Sequence, residues 1–219
     1  MIYIPEIAVE TFLLQIIAFV KEEYLKNTDK KQSFLAVNFG SNSIDGVSLV
    51  DFAKQILLGE TKNRQVKTTI GFNLERAVFP TYHVIIPSEE YNAEVDAIGT
   101  DEGYVHNAEY EGSNQRTRGF KTSVSIICTS SNLTEVIVLY NFLKIVFINY
   151  RAELDLAGMR DLKLGGQELT LQQDLIPLNI HHRIFTFSFF YEYNVVNLDP
   201  KQNISSLNFE GNITDGQDY

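Results

Sequence analysis

After Pro5, apolar residues recur at spacings of three and four: Val9, Leu13, Ile16, Ile17, Val20 and Tyr24 form one stripe, and charges wait until Lys21-Glu22-Glu23. That period predicts a first helix with Pro5 at its opening position. Phe12 and Phe19 fall outside the stripe, so the apolar arc is wider than one core needs, and the helix is expected to be covered from two directions. Phe34–Phe39, closed by Gly40-Ser41-Asn42, reads as a short strand. Ser48 suits the cap of a second helix running to Leu58, with Leu49, Phe52, Ala53 and Ile56 inward and Gly59 as its stop. Val66, Thr68, Ile70, Phe72 and Leu74 alternate with polar residues, the pattern of a strand with one wet face.

Tyr82–Ile86, between Pro80 and Pro87, predicts another strand, and Phe120–Thr129 its neighbour, with Val124, Ile126 and Cys128 on one face. Asn132 followed by Glu135 opens a long helix that closes at Gly158. Its polar stripe of Thr134, Asn141, Lys144, Arg151 and Asp155 is narrow and leaves Val136, Leu139, Tyr140, Leu143, Val146, Phe147 and Tyr150 opposite. Gly165-Gly166 has the form of a two-residue hairpin turn, which would set Lys163 against Glu168 and Leu162 against Leu169. The chain then reaches Arg183–Val196, where Phe185, Phe187, Phe189, Tyr191 and Tyr193 occupy every odd position. Period two means a strand, and this one is far longer than the usual five or six residues. The fold expected is α+β: a mainly antiparallel sheet packed by one long helix and an N-terminal helix, with a long C-terminal strand or hairpin.

Charge changes the picture in one place. Between Glu89 and Glu111 stand Glu89, Glu90, Glu94, Asp96, Asp101, Glu102, Glu109 and Glu111 with no Lys or Arg, and the segment lacks a core period. It reads as an acidic excursion over 88–119 from a single domain spanning 1–196, and residues 197–219 read as a polar, loosely ordered tail. A net charge of −10 over 219 residues argues against gripping nucleic-acid phosphates, because such binders need clustered Lys and Arg. Cys128 is the only cysteine, so no disulfide framework or cysteine metal site is expected, in keeping with a reducing cytoplasm. The apolar run Ile7–Val20 is interrupted by polar residues and the start lacks a basic leader, so neither export nor membrane insertion is expected.

No reaction announces itself. His181 and His182 are adjacent in a strand and point to opposite faces, so they do not converge on one ion. Asp101-Glu102 with Glu94 and Asp96 offers oxygen ligands for a hard cation but lacks the spacing of a calcium loop, and a solvated, repelling surface is the preferred reading. Neither Gly40-Ser41-Asn42 nor Gly165-Gly166 has phosphate-loop spacing, and no nucleophile elbow is present. No catalytic, cofactor or metal residue is assigned. Phe185, Phe187, Phe189, Tyr191 and Tyr193 are assigned to core or subunit contact.

The succession Tyr82–Ile86, Phe120–Cys128, Leu133–Leu156, Gln173-Asp174-Leu175-Ile176-Pro177 and His181-His182-Arg183-Ile184-Phe185-Thr186-Phe187 resembles the tail terminator or tail-completion proteins of long-tailed bacteriophages and the related neck proteins. The resemblance implies a virion component made in the host cytoplasm, a homo-hexameric ring that caps the tail tube and meets the head connector. Its partners would be copies of itself, tail tube or sheath, and connector proteins, with DNA only in passage and no membrane. Glu94, Asp96, Asp101, Glu102, Glu109 and Glu111 would then face a lumen or a partner, where carboxylates repel phosphate over about 8 Å at physiological salt. The competing expectation is a soluble α+β module that binds calcium or another ligand through the acidic segment.

Overall fold

The computed structural model describes residues 4–40, 42–44, 46–60, 64–71, 79–91, 104–106, 114–167 and 180–197. Helix α1 (Pro5–Lys26) leads to a 3₁₀ turn (Lys30–Gln32), α2 (Phe34–Phe39), a two-stranded ribbon β1 (Ser43–Ile44) and β2 (Val47–Ser48), and α3 (Leu49–Ala53). The strands β3 (Lys67–Ile70), β4 (Thr81–Tyr91), β5 (Tyr104–His106) and β6 (Asn114–Ser130) follow. Helices α4 (Leu133–Asn149) and α5 (Arg151–Leu156), then β7 (Arg160–Gln167) and β8 (His181–Asn197), complete the order.

The α+β expectation holds. A six-stranded sheet runs β3-β4-β6-β8-β7, and β5 joins β6 beyond the end of β4. Among the described residues only the β3–β4 pairing is parallel. One face of the sheet presents Tyr82, Val84, Val124, Ile126, Cys128, Phe185, Phe187 and Phe189, all buried in a core shared with Val9, Leu13 and Val20 of α1 and Leu139, Leu143 and Phe147 of α4. Phe147 sets its ring 5.1 Å from Phe185 and 4.5 Å from Phe187, so the predicted side of the long helix meets the predicted row. Tyr82 ties the layers together by donating its hydroxyl to the Leu139 carbonyl at 3.0 Å.

Several expectations are corrected. Phe34–Phe39 is helical: Ser33 accepts a hydrogen bond from the Ala36 amide, Leu35 and Phe39 are buried one turn apart, and Val37 between them is exposed. Gly40 ends it at φ 52°, a conformation that favours glycine. The second helix does begin beside Ser48, but the serine side chain makes no cap bond, and from Lys54 to Leu58 the helix widens into a π turn before the left-handed Gly59. The long helix breaks at Tyr150, which leaves helical geometry at φ −103°, ψ 22°. Gly165-Gly166 is not a turn. Both residues lie inside β7, opposite Thr186 and Phe185, and Glu168 and Leu169 fall outside the described residues.

Gly166 is needed for a different reason: a Cβ there would collide with the Tyr140 hydroxyl, because Tyr140 leans across the strand at this point. Of the second strand, Val66 is buried and Lys67–Ile70 is paired, while Phe72 and Leu74 lie outside the described residues. The acidic segment does not leave the sheet at 88: β4 runs to Tyr91 and β6 already begins at Asn114. The expected tail lies outside the described residues from 198 onward.

Candidate functional site

The aromatic row is core. Phe185, Phe187, Phe189 and Tyr191 are buried, Tyr193 is half-buried, and Phe120 stacks on Tyr191 with ring centres 5.9 Å apart. Alternation along β8 puts these rings on one face, where Phe185 and Phe187 meet Phe147 of α4, and β6 and β7 flank the strand from Ile184 to Phe190. Burial raises the Tyr191 phenol well above its ordinary range, and Glu89 adds to the shift. The candidate acidic residues Glu94, Asp96, Asp101, Glu102, Glu109 and Glu111 lie outside the described residues, whereas Glu89 and Glu90 stand exposed on β4.

On the opposite face of the sheet the structure assembles a polar cluster that spacing along the chain did not reveal. His83 on β4 and His182 on β8 lie on the same face, separated by β6. Thr69 Oγ1 meets His83 Nδ1 at 3.0 Å, and Thr129 Oγ1 meets His182 Nδ1 at 3.0 Å. Burial disfavours the imidazolium at both. It lowers the pKa of His83, with a hydrogen bond to the Gly71 backbone acting the other way. For His182 burial comes first, followed by repulsion from His83 and His181, and the pKa falls to about 4. Two neutral imidazoles held by threonine hydroxyls brace this face of the sheet. The Cys128 thiol, on the core face, is likewise pushed far up by burial and is an inert apolar group.

A second buried polar constellation caps α4. Asn132 accepts from the Thr134 amide at 2.8 Å, half of the expected capping box. Glu135 supplies no reciprocal bond to the Asn132 amide, which turns to Ser130 Oγ at 3.2 Å. Instead Glu135, 2% exposed, accepts from Ser130 Oγ at 2.5 Å and lies 3.2 Å from Arg64 Nη1. A buried carboxylate needs such partners to be tolerated, and these are structural ones. Among the described residues, no group of three His, Cys, Asp or Glu comes together to hold a metal ion.

An apolar groove lies between α1 and the α4–α5 break. Phe12, Phe19, Tyr150, Leu154 and Met159 line a groove of about 740 Å³, with Gln15 and Glu153 at its polar margin. Phe12 packs edge-on against Phe147 at 5.4 Å and against Tyr150 at 6.4 Å, and Phe19 meets Tyr150 at 6.4 Å. The two phenylalanines that fell outside the core stripe of α1 therefore build this wall, and the kink at Tyr150 completes it. Its lining is mainly aromatic and aliphatic, the chemistry of a contact surface. Among the described residues no helix is long and apolar enough to cross a membrane. No protein-family model matches the chain, and no curated protein matches it in sequence.

Proposed function

We propose that this chain is a structural subunit of a tailed-phage virion, a ring-forming tail terminator-like or neck protein that caps the tail tube, joins it to the head and lets DNA pass. The observation that carries the reading is the β6–β8 pair. Each strand is 17 residues long, and they are in register from Ser130–His181 to Asn114–Asn197. At about 3.3 Å per residue this ribbon extends roughly 55 Å, more than the helical layer of one small subunit covers. Partner β7 reaches only to Phe190, so β8 continues from Tyr191 to Asn197 beyond the end of that pairing. Extended ribbons of this kind are suited to reaching a neighbouring subunit, and a closed ring is the economical way to cover every copy's edge. The net charge of −10 suits a conduit from which DNA must slide freely.

The test is assembly. Purified protein mixed with tail tubes or connectors should give rings at one end of the tube in negative-stain images. Reversing Asp96, Asp101 and Glu102 to Lys should leave those rings intact and raise DNA retention in a salt-dependent way. Virion reconstructions that place the protein away from the head–tail axis, or turnover of a small substrate by an isolated monomer, would remove this reading.

A further inference from the structure

Helix α1 carries a second apolar seam that the described residues leave uncovered. Ile7, Leu14, Ala18 and Leu25 belong to a series with Thr11 and Lys21 whose spacing alternates three and four, the repeat by which one helix packs along another. Within this chain the seam faces outward: Ile7 is 49%, Leu14 53% and Leu25 71% exposed. The groove wall beside Phe19, itself 49% exposed, occupies another side of the same helix. At 3.6 residues per turn the centres of the seam and the groove lie about 110° apart around the axis, the two adjoining at Thr11, with the buried stripe behind both.

We propose that the outward seam of α1 seats in the α1–α5 groove of a second copy of this chain. This rests on the ring reading and names the surfaces that would make the ring. The two surfaces complement one another in shape, a projecting row of aliphatic side chains and an aromatic-walled recess. They also complement one another in charge. Lys21 stands on the seam and Glu153 on the groove margin, and among the described residues neither forms an ion pair within the chain.

Half-exposed side chains of this size each offer on the order of 100 Å², so the seam and Phe19 together present several hundred square ångströms of apolar surface. That is near the upper limit of what a monomer exposes and a large part of the roughly 800 Å² per partner of a stable interface. Because the joined patches differ, the contact is open-ended, and each copy can receive one neighbour and dock on another. An offset of about 110° turns successive copies, where a straight filament needs patches on opposite sides.

The experiment is sedimentation of the full-length protein over a wide concentration range, with circular dichroism as a control for folding. Parent protein should self-associate. Leu14→Asp should weaken association by at least about tenfold, a loss of 1.4 kcal/mol, with an unchanged spectrum. Leu25→Glu, at a more exposed position, repeats the measurement if Leu14→Asp unfolds. Lys21→Glu and Glu153→Lys should each weaken association several-fold, and the double reversal should restore it. Recovery in the double variant identifies seam against groove, since seam against seam would keep two like charges. Association indifferent to all these substitutions overturns the proposed interface while leaving the ring reading to the tail-tube assay. A parent chain that stays monomeric at millimolar concentration also overturns it.

Discussion

At the scale of single residues, two positions make the case that a glycine or a histidine must be read with its spatial neighbours. Gly166 lies beneath Tyr140, whose ring is also met by Arg183 at 4.3 Å and by the ring of Phe185 at 6.1 Å. Gly166→Ala should therefore destabilise the protein by about 1–3 kcal/mol, as overpacking does. In a Tyr140→Phe background, where the obstructing oxygen is gone and the ring carbon stands 3.1 Å away, the same change should cost clearly less; urea denaturation of the four proteins measures the cycle. Gly-Gly in sequence reads as a turn because turns are where glycine is commonest, and nothing local to it tells of a tyrosine arriving from a helix 26 positions earlier.

His182 gives the second case. Its folded pKa of about 4 lies below the ordinary 6.5, so the unfolded chain takes up a proton over a range in which the folded chain does not. Stability should be full above about pH 6.5 and fall as the pH drops toward about 4, and His83, shifted the same way, should add to the fall. His182→Gln should flatten that acid limb, as measured by chemical denaturation across the window.

Among the elements, those with a strong period were legible. The α1 stripe, the strand Arg183–Val196 and the cap at Asn132 follow from spacing and residue type and are where the pattern put them, whereas β6 begins at Asn114, six residues before the expected Phe120. Short elements were not: Leu35 and Phe39 on six residues satisfy a helix, while the aromatic and β-branched residues around them favour a strand, and the Ser33 cap decides the matter. The break at Tyr150 has no proline or glycine to mark it. The packing of α4 on β8 can be tested at its centre. Phe187, 2% exposed and 4.5 Å from Phe147, should cost about 3–5 kcal/mol when replaced by Ala. A thermal melt close to that of the parent would show that the row is peripheral to stability.

For the whole molecule, the class of fold was readable because a chain of this length needs one core, and two periods, 3.6 and 2, supplied its two layers. The Thr69–His83 and Thr129–His182 pairs and the α1–α5 groove were not readable, since each joins residues apart in sequence. Phe12 and Phe19 were their one visible trace, too apolar for a helix with a single buried side. The β6–β8 pairing has a kinetic consequence as well. Its partners lie about 50 to 80 positions apart, with α4, α5 and β7 between them, so no short turn can start the zipper. The intervening helices must collapse first, and until they do both strands remain unsatisfied and open to pairing with other chains. Maturation of this chain is thus expected to be limited by closure of the longest loop in its described sheet, and that interval is the one in which it is most exposed to pairing with other chains.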